Sequence, residues 1–190
     1  MIINNSIYLR RYQSPYKWII RQSAADNDWT SICYGELGCV AVAKSGTGNR
    51  IMQAVNGTNW QIPSISLPDY DWVSVCYASY YRQYVAVDNQ YSNSGNQIMF
   101  FGYNNPLTLS STPIGHNWTS ICYVTSSLGN GPLCVAVSQN GGCMVSRNLT
   151  DWELVETPFN NHLTSVCYGA DKFVAVSRTG TGNRVMTMDW

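Results

Sequence analysis

The chain carries little charge. Only 12% of its 190 residues are Asp, Glu, Lys or Arg, against about 25% in an average soluble domain. The formal net charge is zero, and the eight arginines and three lysines are scattered along the sequence. Nucleic-acid binding depends on clustered cations, so we expect no nucleic-acid partner.

Long apolar runs and a secretory leader are also missing. No stretch approaches the roughly 20 apolar residues that a membrane-spanning helix needs, so we expect no membrane insertion. The N-terminal residues 1–5 show no cationic region followed by an apolar stretch, and the sequence therefore predicts no signal peptide. The expected location on this ground is the cytoplasm.

Metal-ligand motifs are absent as well. Seven cysteines are present, but none forms the Cys-x-x-Cys pair that is typical of zinc sites. The odd number leaves at least one thiol unpaired, and four cysteines share one repeat position, namely Cys33, Cys76, Cys122 and Cys167. We interpret the cysteines as small buried hydrophobes in a reducing compartment, and we predict neither a metal site nor a cofactor.

What the sequence does contain is a fourfold repeat. The segment Trp-Thr-Ser-Ile-Cys-Tyr at residues 29–34 recurs with small changes at 72–77, 118–123 and 163–168. The cysteines of these copies are 43, 46 and 45 residues apart, a spacing typical of propeller blades. We expect a single domain whose repeats span about 29–71, 72–117, 118–161 and 162–190, the last completed by residues 13–28.

Each repeat reads as a set of short strands. The aromatic opening segment is followed by an apolar run with alanine at its centre, such as Cys39–Ala43, and both favour strands. A glycine-rich turn at 45–50 in the first copy predicts a tight hairpin. Because a strand follows this turn, it is not a phosphate-binding loop. The pattern predicts an all-β fold, a small β-propeller of four blades with four antiparallel strands each.

The last repeat ends before its fourth strand, and the N-terminus can supply that strand. Trp18 lies 11 residues before Trp29, just as Leu107 lies 11 residues before Trp118. We therefore expect residues 16–22 to pair with the C-terminal blade and to close the ring, which removes free sheet edges. For the third strand of this blade the alternatives are residues 6–12 and 184–190. A homo-oligomer in which chains exchange their ends is a further alternative.

One turn of the repeat carries a family resemblance. Residues 52–60, Met-Gln-Ala-Val-Asn-Gly-Thr-Asn-Trp, resemble the Asp-box turn of sialidase-type propellers, and residues 144–152 resemble it without the glycine. The whole unit, over residues 16–190, is similar to repeat proteins of phages, large DNA viruses and bacteria. The resemblance implies a propeller that is a virion or phage-tail-like particle component or its surface recognition module. If the chain is viral, its expected location is the virion or particle surface, and otherwise the cytoplasm. Asp-box turns are structural, so the resemblance implies no activity.

Candidate catalytic groups are not gathered by the sequence. His116 and His162 both precede the first strand of a repeat, and we interpret them as turn residues. Glu153 and Glu156 flank a strand face that we expect to be solvated. A sialidase-like glycoside hydrolase needs an arginine cluster and well-placed carboxylates, and no carboxylate stands out from the repeat pattern. We therefore predict that the protein is not an enzyme.

The loops of the second copy differ most from the others. They are rich in Tyr, Asn and Ser, which binding surfaces use for rigid aromatic area and adaptable hydrogen bonds. The candidate ligand-binding residues are Tyr80, Tyr81, Arg82, Tyr91 and Tyr103. The favoured function is a structural or protein-binding role in a particle or assembly. The alternative is a lectin-like propeller that binds a surface glycan, although equal sugar sites in every blade would require equal loops.

Overall fold

The computed structural model describes residues 16–65, 68–90, 95, 97–102, 104–113, 116–125 and 129–190. These residues form fourteen strands in four antiparallel sheets, without a helix. Among them, therefore, no helix is long and apolar enough to cross a membrane. Each repeat forms one sheet, and we number the sheets as blades 1 to 4 along the chain. The predicted all-β architecture is confirmed.

The strands follow one another in chain order within each blade. Blade 1 contains β1 (Trp29–Gly35), β2 (Gly38–Ala43) and β3 (Ile51–Ala54). Blade 2 contains β4 (Trp72–Ala78), β5 (Gln83–Asp88), β6 (Ile98–Gly102) and β7 (Asn105–Ser110). Blade 3 contains β8 (Trp118–Thr125), β9 (Pro132–Ser138), β10 (Cys143–Ser146) and β11 (Glu153–Val155). Blade 4 contains β12 (Leu163–Gly169), β13 (Lys172–Ser177) and β14 (Val185–Asp189).

The same pairing register recurs in the blades because the same residues recur. In blade 1, Cys33 lies opposite Val40, and a register shift separates Trp29 from Ser31; blades 2, 3 and 4 repeat both features. The hairpin after the second strand turns at Gly46 in blade 1 and at Gly180 in blade 4, each with a φ of 100°. Glycine adopts this conformation at little cost, which confirms the hairpin predicted from the sequence.

The hydrophobic core lies between successive blades. Blade 1 packs Val42 and Ile51 against Tyr84, Ala86 and Met99 of blade 2. Blades 2 and 3, and blades 3 and 4, meet through equivalent residues. The central alanine of the second strand lies in each of these junctions, where its small side chain permits close approach. The four blades therefore stand in a row, with β1, β4, β8 and β12 side by side.

Four strands form in two of the four blades. In blade 1 the predicted fourth strand is reduced to a single bridge between Gln53 and Gln61. Pro63 follows two residues later, and a proline cannot donate a hydrogen bond to a neighbouring strand. Blade 4 has three strands among the described residues, the third being β14. The alternative third strand at residues 6–12 lies outside the described part of the chain.

The structure differs from the predicted closed ring at its two ends. Residues 16–22 form no strand, and within the described residues β14 pairs with β13 alone. Residues 20–24 lie instead close to residues 58–60 of blade 1, with which they line a hollow. Paired strands must come within about 4.8 Å of each other. In the described structure β12 does not pack on β1 as the other neighbouring inner strands do, so the two ends stay apart.

Candidate functional site

One rim of the row of blades carries the connections between first and second strands. In blade 2 this connection is a turn, in which the N–H of Tyr81 donates to the carbonyl oxygen of Ala78 at 3.1 Å. Arg82 has a φ of 56°, a left-handed conformation that is uncommon outside glycine and asparagine. The turn therefore presents Tyr80, Tyr81 and Arg82 together, as three consecutive residues at the rim.

Three tyrosine rings cluster at this place, and we call them the tyrosine rim (Tyr80, Tyr81 and Tyr123). The rings of Tyr80 and Tyr81 are 5.1 Å apart in an edge-to-face arrangement, and Tyr81 is 6.4 Å from Tyr123. The N–H of Tyr80 donates to the hydroxyl of Tyr123 at 3.2 Å, which joins blade 2 to blade 3. Edge-to-face contacts stabilise aromatic pairs beyond their buried area. The rim is therefore an ordered aromatic surface on which Tyr80 remains 68% exposed.

The phenols of Tyr81 and Tyr123 stay protonated at neutral pH. Burial raises the pKa of Tyr81, and it raises that of Tyr123 to about 12. The Tyr81 hydroxyl donates to the carbonyl oxygen of Arg147 in blade 3. The guanidinium of Arg147 in turn donates to the Asn130 carbonyl oxygen at 2.7 Å and lies 4.3 Å from the ring of Trp190. The aromatic surface thus continues across blades 2, 3 and 4.

Arg82 is engaged by a carboxylate of the neighbouring blade. Its Nε donates to Oε2 of Glu36 at 2.7 Å, and its Nη2 donates to Oε1. The hydrogen bond from Arg82 lowers the pKa of Glu36, so the carboxylate is ionised at neutral pH. An acidic ligand that bound Arg82 would have to displace Glu36. The pair also ties blade 1 to blade 2 on the side of the rim.

A hollow of about 70 Å³ opens beside this ion pair. Its lining combines the charged pair with Tyr81 and two amide side chains, Asn104 and Asn105. Pockets that enclose a small-molecule ligand measure about 300–1,000 Å³. The hollow can therefore anchor one polar group of a ligand, while the rest of the ligand must lie across the open rim.

The structure brings together three of the five candidate residues, Tyr80, Tyr81 and Arg82. Tyr91 and Tyr103 lie outside the described residues.

Sequence reasoning missed Glu36, Tyr123 and Arg147, which complete the rim. A signal for Tyr123 was present, because every repeat places a tyrosine after the cysteine of its first strand. In blade 3 that tyrosine, Tyr123, reaches the rim loop of blade 2. In blade 2 the equivalent Tyr77 places its hydroxyl 3.5 Å from Oε2 of Glu36. The pairing of Glu36 with Arg82 has no such repeated signature.

Groups suited to proton transfer are dispersed over the molecule. His116 places Nδ1 3.0 Å from Oδ1 of Asn140, in the connection before β8. Burial, assisted by the charge of Arg178, lowers the pKa of His162, in the connection before β12. Among the described residues, no three His, Cys, Asp or Glu side chains are grouped so that they could hold a metal ion.

All seven cysteines are free thiols. Burial raises the pKa of Cys33 to about 12 and those of Cys122 and Cys143 to about 11. The expectation that the cysteines are buried holds in full for Cys134 and Cys143 alone, while four others are half-buried. Cys167 departs from it most, because its side chain is exposed. It lies on a face of blade 4 that no further blade covers, whereas the equivalent cysteines of blades 1 to 3 face the next blade.

Comparisons with known proteins identify the fold. No family model matches the chain, and no curated protein matches it. It is similar to the crystal structure of the computationally designed Ika4 protein, with a TM-score of 0.59 and 13% identity over 92% of this chain and 99% of that one. It is also similar to a catalytically inactive virginiamycin B lyase from Staphylococcus aureus with quinupristin, with a TM-score of 0.59 and 11% identity over 85% of this chain and 55% of that one.

A third similar structure is YCF48 from Cyanidioschyzon merolae, with a TM-score of 0.54 and 15% identity over 90% of this chain and 56% of that one. The lyase and YCF48 are β-propellers, and the present chain has the β-propeller fold. It spans a little over half the length of these two proteins.

Proposed function

We propose that this β-propeller is a non-enzymatic interaction protein, which serves as a component of a virion or phage-tail-like particle or as its surface recognition module. The tyrosine rim is the observation that carries the proposal. Tyrosine supplies large amphipathic contact area at a low cost in side-chain entropy, and protein-binding surfaces are enriched in it. The similarity of the repeat to those of phage and viral proteins supplies the particle context, and on that basis the chain lies on the particle surface.

The composition predicts how such a surface binds. With 12% charged residues and zero net charge, the chain offers little long-range attraction to a charged partner. Affinity then rests on desolvated aromatic contacts and hydrogen bonds, and it depends only weakly on ionic strength. We expect a partner surface that is itself weakly charged and that provides acceptors for tyrosine hydroxyls.

The alternative is carbohydrate binding at the same place. The exposed ring of Tyr80 offers a stacking face, and Asn104 and Asn105 offer amide hydrogen bonds beside it. The corresponding loops of blades 1 and 4, residues 36–37 and 170–171, contain no tyrosine. A lectin of this kind has its sugar site in blade 2 and not one site in each blade.

A double variant separates these functions. Tyr80→Ala combined with Tyr81→Ala removes the aromatic pair, of which Tyr80 is exposed and Tyr81 is half-buried. Gln90→Ala, at an exposed residue at the opposite end of blade 2, is the matched control. Glycan-array binding that the double variant loses and the control keeps would establish the lectin. Absence of glycan binding, together with peptides of this chain in particles purified from its source, supports the particle role. Turnover of a fluorogenic sialoside by the purified protein would refute the non-enzymatic proposal.

We also propose that the ring is closed when an N-terminal segment adds a fourth strand to blade 4. Among the described residues, no strand pairs with the outer edge of β14. Trp18 lies 11 residues before Trp29, just as Leu107 lies 11 residues before Trp118 and Trp152 lies 11 residues before Leu163. Strand addition would satisfy the unpaired backbone groups of β14.

A further inference from the structure

The two end blades each present a face that no described blade covers. On blade 4 this face carries Val176 and Val185, which are 41% and 59% exposed, whereas the equivalent Val42 and Ile51 of blade 1 are fully buried. We call it the blade-4 outer face, and by the pairing register it comprises Cys167, Val174, Val176, Val185 and Thr187. Apolar surface of this kind marks an interaction site.

Blade 1 presents the complementary face. Ile32 is 57% exposed, while the residues equivalent to it in blades 2, 3 and 4 are 6%, 5% and 7% exposed. Tyr34, two residues further along β1, is 74% exposed. Ala41 and Met52 lie further out on the same side of the sheet and are buried. We call Ile32 and Tyr34 the blade-1 outer face. In blades 2 to 4 the equivalent residues pack against the preceding blade.

A repeated hydrogen bond crosses every internal junction. Between blades 1 and 2 the N–H of Val75 donates to Oγ of Ser31 at 3.1 Å. The equivalent bonds between blades 2 and 3 and between blades 3 and 4 are 3.1 and 3.2 Å long. Among the described residues, two groups have no partner for this bond, namely Oγ of Ser165 on blade 4 and the N–H of Ile32 on blade 1.

A vacant position on blade 4 matches a side chain on blade 1. At the end of β1, a Cβ on Gly35 would lie 2.4 Å from the ring of Tyr77 in blade 2, so glycine there makes room for that tyrosine. Gly169 holds the same place at the end of β12, and nothing lies within 4 Å of its Cβ position. Tyr34, on the blade-1 outer face, is the equivalent of Tyr77, and no described glycine of a preceding blade receives its ring.

We propose that two copies of the chain assemble head to tail, so that the blade-4 outer face of each covers the blade-1 outer face of the other. The chain matches 55% and 56% of the lengths of the lyase and YCF48 propellers, so its row of blades is an arc of about half a ring. Two such arcs close with twofold symmetry, and eight blades lie within the usual range of about four to eight. The same arc holds the two outer faces of a single chain apart. The assembly does not depend on what the tyrosine rim binds.

In this assembly the N-terminal segment completes blade 4 of the partner copy. The fourth strand of blade 3 places Leu154 opposite Met144, and blade 2 repeats this pair. The repeat spacing places Ile20 opposite Met186 in the same way. Met186 lines a cavity of about 110 Å³ between blades 3 and 4, which the added strand covers. In the single chain Trp18 and Ile20 are fully exposed, so strand addition buries both.

The mass of the protein in solution tests the assembly. Native mass spectrometry and light scattering should give twice the chain mass of 21.2 kDa. Val185→Glu and Ile32→Lys should each give the mass of one chain, because each places a charge in a junction. An equimolar mixture of the two should recover the dimer, since one junction is then native and the other pairs Glu with Lys. Val55→Glu, at an exposed valine away from both outer faces, is the matched control and should stay dimeric.

Recovery on mixing shows that both variants are folded. A wild-type mass other than two chains, a dimer that survives both substitutions, or variants that do not complement each other would overturn the proposal.

A cross-link tests which chain supplies the added strand. The register places residue 19 opposite residue 187, and opposed residues in antiparallel strands have Cβ atoms about 4.5–5.5 Å apart. A mixture of the Ile19→Cys and Thr187→Cys variants should give a covalent dimer under mild oxidation, and dithiothreitol should reverse it. Neither variant alone should give this dimer. The double variant should form the same intermolecular bridge. A disulfide within single chains of the double variant would show closure in one chain and defeat the proposal.

Discussion

Asp88 gives the protein a stability that depends on pH in an unusual direction. The side chain ends β5 and is 1% exposed. Its Oδ1 accepts a hydrogen bond from the N–H of Gln90 at 3.0 Å, while Oδ2 is buried without a hydrogen-bond partner among the described residues. Burial raises the pKa of the carboxyl to about 6, from an ordinary value near 3.8. A pKa unit corresponds to about 1.4 kcal/mol, so ionisation costs about 3 kcal/mol more in the folded protein than in the unfolded chain.

The sign of the effect follows from the raised pKa. Well below pH 3.8 the carboxyl is protonated in both states, and no penalty exists. As the pH rises, the unfolded chain ionises first and is stabilised relative to the folded protein, until the folded carboxyl also ionises above about pH 6. This residue should therefore lower the free energy of unfolding by about 2 kcal/mol between pH 4 and pH 7. Asp88→Asn, which keeps an acceptor for Gln90, should abolish that decrease.

Urea unfolding followed by tryptophan fluorescence at pH 4, 5, 6 and 7 measures the effect. The quantity of interest is the difference in unfolding free energy between Asp88→Asn and the wild type, at one protein concentration throughout. The difference should grow in favour of the variant as the pH rises. Asp26→Asn, which removes an exposed carboxylate, is the control and should follow the wild type. A difference for Asp88→Asn that does not change with pH would refute the burial argument.

Three other predictions concern the junctions and the turns. Tyr84→Phe should lower the unfolding free energy by about 2–4 kcal/mol in urea titrations, because two backbone groups of blade 1 lose their buried partner. The Tyr84 hydroxyl donates to the Gly38 carbonyl oxygen at 2.8 Å and accepts from the N–H of Leu37 at 3.0 Å. Tyr168→Phe, the control with an exposed hydroxyl, should change the unfolding free energy little. Asn148→Ala should lower the melting temperature more than Asn56→Ala does, since Oδ1 of Asn148 accepts two backbone N–H bonds and that of Asn56 one. Iodoacetamide should label Cys167 rapidly in the Val185→Glu variant and slowly in the wild type, as followed by peptide mass spectrometry; equal rates would contradict the two-chain ring.

The repeat spacing made the blades predictable. Each copy offers the same aromatic opening and the same apolar run, so the sequence alone predicts β1, β2 and their counterparts. The hairpins were predictable for the same reason, because a tight turn requires a residue that adopts a positive φ, and a glycine such as Gly46 at the turn is visible in the sequence. These elements depend on neighbours in the sequence, and the sequence displays those neighbours directly.

The curvature of the row was not predictable in the same way. It depends on how bulky residues such as Met99 and Tyr84 fill each junction, and small changes in packing add up over three junctions. The expectation of a four-bladed ring rested on counting repeats, which says nothing about the angle between them. The exposure of Cys167 follows from that angle.

The candidate site was predictable in part. The divergent loop of the second copy drew attention to Tyr80 and Tyr81 because residues that break a repeat are visible in one sequence. The ion pair between Glu36 and Arg82 joins positions 46 residues apart and belongs to no repeated pattern. Contacts of this kind follow from the tertiary arrangement and could not be read from the spacing of residues.

The serine hydrogen bond that recurs at each junction has a consequence for how the gene can change. Because every blade offers the same acceptor on one side and the same donor on the other, no junction is marked by its place in the chain. A duplicated unit of about 45 residues, inserted between any two blades, would find compatible neighbours on both sides. Ring size is thus open to change by whole-unit gain or loss, without new contacts having to arise at the points of insertion.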